Sequence, residues 1–454
     1  MAKLFGTDGV RGEANSFLTP EIAFKLGRVG GYVLTSHTHH TPSVLVAKDG
    51  RRSGDMLEAA LVAGLCSIGA RVHLVGILPT PAVAYLVKQK DFDCGVMISA
   101  SHNLMADNGI KFFSNEGYKL PDEMEKEIED MLLKIENEND GLPRPVGEGV
   151  GTVKRYESAQ IDYLEYLYEA AHGMKLDGLR LVIDCANGAT SFVASRIFKR
   201  LGADVYTLHS APDGVNINKN CGSTHIESLI EHVLMVGADV GLAFDGDGDR
   251  MLAVCENGEL VDGDKVMALC GLGMKKAGKL AGNTIVATIM SNQGLEIFCK
   301  QSGINLIRTD VGDRYVLERM LEGGFNLGGE QSGHVIFLEH STTGDGILTG
   351  LKLLELLVST SDSMSKLASS VEVLPQVLVN AAVPNEKKPE LATNAEIAKC
   401  KAEIEAKLAG QGRILVRPSG TEPVVRVMLE GKDKAVITEM AKQLADVIEK
   451  ALRN

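Results

Sequence analysis

The sequence predicts an α/β protein of three similar α/β domains with mixed or parallel sheets, followed by a smaller C-terminal α+β domain. Three observations carry that prediction. The stretches SIGARVHLVG at 67–76, RLGADVYTLH at 200–209 and QSGINLIRTD at 301–310 share one grammar: a helix end, a glycine and a strand. Each follows another strand and an amphipathic run, and together these make the right-handed crossover unit of a parallel sheet. The tail, RILVRPSGTEPVVRVML at 413–429, instead reads strand, loop, strand and leads into a helix, the pattern of an antiparallel unit.

In the first block SVLVAKDG supplies the strand and DMLEAALVAGLCSI the helix, with Leu57, Leu61, Leu65 and Ile68 at helical spacing. RLVIDCANGATSFVASRIFKRLGA and TIVATIMSNQGLEIFCKQSGI repeat the pattern in the second and third. In the last, KAVITEMAKQLADVIEKAL predicts a helix with Val436, Met440, Leu444, Val447 and Ala451 along one face. Joints are expected in the charged or polar stretches KIENENDGLPRPVGEGVG (134–151), CENGELVDGD (255–264) and STSDSMSK (359–366). The domains then span 1–150, 151–257, 258–372 and 373–454, each of ordinary domain size.

At 454 residues the chain needs more than one core, and 44% apolar with 24% charged residues is the balance of a folded globular protein. A formal charge of -13 without a Lys/Arg cluster argues against nucleic-acid or anionic-membrane partners, while leaving room for a basic pocket around a small phosphate. Eight cysteines without a C-x-x-C pair signal neither a disulfide framework nor zinc, so buried reduced thiols are expected. The sequence offers no apolar leader and no run of membrane-spanning length, so a cytoplasmic protein is expected.

The chemistry concentrates in a few loops. FDGDGDR at 244–250 places Asp245, Asp247 and Asp249 within five positions, separated only by glycine, after the apolar run GADVGLAF. Carboxylates so crowded repel unless a cation sits among them. Glycines at 246 and 248 let the backbone curl so that the carboxylates converge, and Mg²⁺ held partly by a phosphate is the natural occupant. An acidic surface turn rarely needs this spacing. An EF-hand fails because Arg250 stands where glycine is required and both flanks are strand-like.

VMISASHNLMADNG at 96–109 breaks a buried-looking strand into a polar loop with Ser99, Ser101, His102 and Asn103. A hydrolase triad would want a G-x-S-x-G elbow, which is missing, and a His next in sequence normally points away from its neighbour's hydroxyl. A Ser/Thr cap before a helix is the structural alternative. RPSGTEP at 417–423, with Arg426 beyond, combines guanidinium forks, hydroxyls and a flexible glycine suited to gripping phosphate. GGEQSGH at 328–334 offers Glu330, Gln331, Ser332 and His334 for sugar hydroxyls. GMKKAGKL at 273–280 imitates a P-loop, but Leu280 stands where Ser or Thr must reach a metal.

Four motifs in order, FGTDGVRG, SASHN, DGDGDR with GEQSGH, and RPSGTEP, make the chain resemble the α-D-phosphohexomutase superfamily over essentially its whole length. NKNCGSTH at 218–225, VGDRYV at 311–316 and Gln331 point within it to bacterial members acting on glucosamine phosphates. The resemblance implies a heart-shaped four-domain enzyme interconverting glucosamine 6-phosphate and glucosamine 1-phosphate, on the route to UDP-N-acetylglucosamine and the cell wall. Phosphoglucomutase or phosphomannomutase activity is the alternative, and a calcium-binding protein or a metal-dependent phosphatase would use the same aspartates otherwise.

By motif, the resemblance makes Ser101 the phosphorylated serine, with Asp245, Asp247 and Asp249 sharing Mg²⁺ with its phosphoryl oxygen. Glucosamine 1,6-bisphosphate or glucose 1,6-bisphosphate would prime it. Arg417, Ser419, Gly420, Thr421 and Arg426 would clamp the non-reacting phosphate, and Glu330, Gln331 and Ser332 would meet the sugar. Arg11, Lys111 and His334 would surround the reacting phosphate, Lys111 or His334 assisting proton transfer. The fourth domain is expected to act as a lid, and a homodimer is compatible with the reading. Two departures stand out: Leu104 follows SHN where the family usually has proline, and Asp310 precedes VGDRYV.

Overall fold

The computed structural model describes residues 4–6, 8–134, 140–408, 411–419 and 423–453. The chain divides into two compact units, 1–290 with 303–369 and 291–302 with 370–454.

The first unit contains three sheets. The first is built from β1 (Phe5–Gly6), β2 (Gly9–Glu13), β3 (Ser43–Lys48), β4 (Arg71–Ile77), β5 (Cys94–Ile98), β6 (Asp107–Ser114) and β7 (Val153–Arg155), in the order β1-β2-β6-β5-β3-β4-β7. Strands β5, β3, β4 and β7 run parallel, and β6 returns antiparallel beside β5. The second sheet holds β8 (Arg180–Asp184), β9 (Asp204–Leu208), β10 (Val240–Phe244), β11 (Met251–Cys255) and β12 (Leu260–Val261), with β9, β8 and β10 parallel and β11 antiparallel to β10. The third holds β13 (Thr284–Thr288), β14 (Asn305–Thr309), β15 (Leu327–Gly329) and β16 (Val335–Phe337), with β14, β13 and β15 parallel and β16 antiparallel to β15.

One device therefore recurs three times: a parallel core strand turns into an antiparallel partner. The loops at that turn are 99–106, 245–250 and 330–334, the three motif loops of the sequence. Carboxyl ends of parallel strands are where open α/β sheets bind ligands, because the crossover connections leave a crevice there. The interiors follow from the sequence: β10 is buried along its whole length, and Leu57, Leu61 and Leu65 of the helix Ser53–Ser67 are fully buried.

The second unit carries β17 (Gln376–Ala382), β18 (Gly412–Pro418) and β19 (Val424–Gly431), antiparallel in the order β17-β19-β18, backed by the helices Ala395–Leu408 and Lys434–Ala451. The face expected for the last helix is shifted. Ile437, Ala441, Leu444, Ala445 and Ile448 are buried, Val436 is exposed, and Met440, Val447 and Ala451 only flank the core. The sequence allows two overlapping apolar stripes, and the β-sheet selects the one centred a residue later.

None of the eight cysteines forms a disulfide; seven are buried and Cys66 is partly exposed. The first half of the P-loop look-alike, 273–276, is the end of the helix Gly263–Lys276. Among the described residues no helix is long and apolar enough to cross a membrane.

Asp345 caps the helix Gly346–Thr360, its Oδ1 accepting from Leu348 N–H and its Oδ2 from the Tyr163 hydroxyl, both at 2.9 Å. Burial pushes its carboxyl from the usual 3.8 up to about 6. Between those values the folded state binds more protons than the unfolded one, so stability falls as pH rises from 4 to 6. Asp345→Asn keeps the cap without the charge. Its stability relative to the parent is expected to improve by about 3 kcal/mol between pH 4 and 7, read from denaturant midpoints; a constant difference would refute the burial effect.

Candidate active site

Ser101 follows the buried strand β5 and lies at φ 51, in the left-handed region that residues other than glycine enter at a cost of about 1 kcal/mol or more. Its hydroxyl is fully buried and donates to Asp245 Oδ2 at 2.5 Å. The aspartates come from the β10–β11 turn, where Gly248 adopts φ 72. Gly246 passes so close to the serine loop that a Cβ would stand 2.6 Å from Ser101 O. No helix follows Ser101, so the capping alternative falls away.

Asp245, Asp247 and Asp249 are buried, each with an oxygen within 4.8 Å of the others. Burial, then Asp249 and Asp247, push Asp245 well above the ordinary carboxylate range. Burial also opposes ionisation of Asp247, yet Lys111 and the Thr80 hydroxyl hold it low. Lys111 Nζ lies 2.8 Å from Asp247 Oδ2, 3.0 Å from Asp8 Oδ2 and 3.8 Å from Asp249 Oδ2. Thr80 donates to Asp247 Oδ2 at 2.6 Å.

Asp247 Oδ1 and Asp249 Oδ1 are buried without a hydrogen-bond partner. Two such oxygens within a cluster of three converging carboxylates fit a hard divalent cation and suit zinc or copper poorly, since no sulfur or imidazole joins the set. Mg²⁺ at about 100 times its dissociation constant is expected to stabilise the protein by ~2.7 kcal/mol, seen as a raised melting temperature. Asp245→Asn should abolish much of that rise, and an unchanged melting temperature in the parent would refute the site.

A second polar chain runs from the first block to the third. Asp8 pairs with Arg11 and Lys119, Lys119 with Asp313, and Asp313 Oδ2 stands 3.5 Å from His334 Nε2. Burial would raise Asp8, but Lys111, Lys119 and Arg11 hold it well below its usual value. His334 is buried, and its Nε2 accepts from Gly344 N–H at 3.2 Å. Arg11, Lys111 and His334 therefore join one polar network with Ser101 and the aspartates.

His102 departs from expectation. Its Nδ1 lies 3.5 Å from Ser101 Oγ and 3.3 Å from Arg250 Nη1, instead of turning away. Burial, Arg250 and Arg11 lower the imidazole to about 4, so it is neutral at pH 7. A neutral ring facing a guanidinium accepts from it, and the Arg250 side chain draws it inward. Burial works against the Arg250 charge, but Asp249, Asp245 and Glu330 sustain it.

In the β15–β16 loop Ser332 is exposed, Glu330 is half-buried, and its amide donates to His334 O at 2.9 Å. The Gln331 Nε2 donates to Asp262 Oδ2 at 3.2 Å. In the second unit Arg417 and Arg426 stand directly opposite across β18 and β19, both half-buried, and Ser419 N–H closes the turn onto Val424 O at 2.9 Å. Gly420 and Thr421 lie outside the described residues.

Sequence reasoning did not single out Asp8, Thr80, Lys119 or Asp313. Asp8 and Asp313 lay inside quoted motifs, GTDGVRG and VGDRYV, and their charge beside a basic residue was the available signal.

Comparison with known proteins identifies the family. Models of the phosphoglucomutase/phosphomannomutase family match in order: alpha/beta/alpha domain I over 2–139, domain II over 161–258, domain III over 262–374, and the C-terminal domain over 378–447. A phosphoglucosamine mutase of Acetivibrio thermocellus is 57% identical over 452 residues, and one of a Thermoanaerobacter species is 56% identical over 453, each match covering 100% of both chains. Among solved structures, a phosphoglucomutase/phosphomannomutase family protein of Burkholderia thailandensis has a TM-score of 0.82 at 24% identity, covering 99% of this chain and 97% of that one. An Aspergillus fumigatus N-acetylphosphoglucosamine mutase in complex with GlcNAc-6P and magnesium has a TM-score of 0.66 at 18% identity, covering 99% and 96%. These two likenesses are of fold.

Proposed function

The chain belongs to the phosphoglucomutase/phosphomannomutase family, and from that premise we propose that it interconverts glucosamine 6-phosphate and glucosamine 1-phosphate through a phosphorylated Ser101. It is an isomerase acting on phosphohexosamines. The observation that carries the chemistry is the Ser101 hydroxyl, buried 2.5 Å from Asp245 within a cluster of three carboxylates and flanking cations.

In the forward direction the C1 hydroxyl attacks the phosphorus of phosphoserine, the bond to Ser101 Oγ breaks, and the hydroxyl proton passes to a base. The resulting 1,6-bisphosphate turns over. Ser101 Oγ then attacks the C6 phosphate, releasing the C6 hydroxyl and restoring phosphoserine, so phosphate is neither gained nor lost. A Mg²⁺ ion held by Asp245, Asp247 and Asp249 would neutralise charge on the transferring group. Lys111, kept charged by Asp247 and Asp8 against burial, supplies positive charge and not a base. His334 is then the better candidate for proton transfer.

Arg417, Ser419, Gly420, Thr421 and Arg426 would bind the phosphate that is not reacting. Glu330 and Ser332 would meet sugar hydroxyls, with Gln331 acting from its seat on Asp262. The primer is glucosamine 1,6-bisphosphate or glucose 1,6-bisphosphate. The reading places the enzyme in the cytoplasm, keeps the domain limits 1–150, 151–257, 258–372 and 373–454, and is compatible with a homodimer.

The test compares turnover of glucosamine 6-phosphate, glucose 6-phosphate and mannose 6-phosphate with primer and Mg²⁺. We expect kcat/KM for the amino sugar to lead by at least about tenfold, the net scale of a single hydrogen bond. A lead for a neutral hexose would reassign the substrate, and steady release of inorganic phosphate would make it a phosphatase.

A further inference from the structure

The loop between β5 and β6 contains no proline, yet it holds Ser101 in a left-handed conformation. Donors from outside the loop hold it there. Arg51, buried, donates through Nη2 to Ser101 O at 2.9 Å and Asn103 O at 2.8 Å, and through Nη1 to Leu104 O and to Asp107 O at 3.1 Å. Its Nε is fixed by Asp49 Oδ2 at 2.8 Å. The same carboxylate oxygen accepts from Ser99 Oγ at 2.6 Å, and Ser99 Oγ in turn accepts from Ser101 N–H at 2.9 Å.

A second clamp comes from the block that carries the aspartates. Asn218, buried, donates to Ser101 O at 2.8 Å and Asn103 O at 2.9 Å, so each of those carbonyls takes one donor from each block. The Asn218 segment is itself tied down: its amide donates to Ala186 O at 2.9 Å, and Gly222 N–H donates to Asp184 Oδ2 at 2.9 Å.

We propose that Arg51 and Asn218 are positioning residues that jointly hold the Ser101 loop in register with the aspartate loop. Neither is placed to touch the reacting phosphorus; both act through the main chain of residues 101–107. This rests on the reading of Ser101 as the phosphoryl carrier. Two converging clamps matter because a displacement of about 1 Å at a reacting group can cost roughly 10²-fold in rate. The fork geometry matters as well, since a lysine at 51 could still pair with Asp49 but could not serve four carbonyls.

Arg51→Lys and Asn218→Ala test this in the full chain. For each, kcat normalised to phosphoserine content is expected to fall about 10²-fold with KM within about threefold. The double variant should lose little more than the worse single one, as for residues acting as a unit. Hydrogen exchange gives a readout independent of activity: amides of residues 101–107 should exchange at least about tenfold faster in Asn218→Ala, with the rest of the second block unchanged. If Arg51→Lys fails to fold, Asn218→Ala decides. Normal kcat in a folded Asn218→Ala protein overturns the proposal, and so does unchanged exchange across 101–107. The parent's own turnover of glucosamine 6-phosphate tests the functional reading separately.

Discussion

Ser101→Ala is expected to reduce mutase turnover by at least about 10⁴-fold while leaving a folded protein. The size follows from the role: with no hydroxyl there is no atom to carry the phosphoryl group between two positions of one sugar, and His102 or Thr80 cannot substitute from their places. The stability cost should be only about 1 kcal/mol, that of one hydrogen bond, because the lost donor served an Asp245 carboxyl already pushed toward its neutral form. Intact mass after incubation with glucose 1,6-bisphosphate should show one added phosphate on the parent and none on the variant. Residual turnover within about tenfold of the parent would put the carrier elsewhere.

The parts of this site legible in the sequence are those whose signal is local. Three aspartates separated by glycines stand out by their crowding, and the structure does bring their oxygens together; Ser101 stands out where a buried strand breaks into polar residues. Lys111, Arg11 and His334 were reachable through motif resemblance. The chain Asp8, Lys119, Asp313 was not, because its partners come together only when the first and third blocks fold side by side. Asn218 was quoted within NKNCGSTH without a role for the same reason: its acceptors are carbonyls of another block, and nothing in a sequence marks a carbonyl that needs a donor.

Elsewhere local rules gave way to packing. The apolar residues of the last helix permit two faces, and the sheet of the second unit buries the one centred on Ile437, Ala441 and Ile448. The Gln331 loop is anchored by Asp262, the cap of the helix Gly263–Lys276, a partner the motif GGEQSGH does not reveal. The loop after SHN has Leu104 where the family usually has proline, and Arg51, distant in sequence, donates to its carbonyls at Ser101, Asn103 and Leu104. Fold class is legible because helical and strand periodicity repeat along the chain; hydrogen-bond partners across blocks have no such periodicity.

Lys111→Met separates the two jobs of that lysine. The ammonium is buried between Asp247 and Asp8, and removing one partner of a buried ion pair costs about 3–5 kcal/mol because the other charge is left uncompensated. The sign with pH is definite. In the parent, Asp247 is depressed, so its contribution is present above the ordinary carboxylate value and lost only as pH falls through its lowered one. In Lys111→Met the depressing charge is gone while burial remains, so the variant should be least stable at neutral pH and recover as acid protonates the cluster. Mg²⁺ should restore much of the stability at pH 7, since a cation among the aspartates compensates the same charges. Turnover should stay low, by about 10³-fold, the scale on which one cation at a transferring phosphoryl group acts. Recovery of both stability and turnover with Mg²⁺ would make Lys111 a structural counter-charge alone; recovery of stability without turnover is the expected result and ties the lysine to the transfer itself.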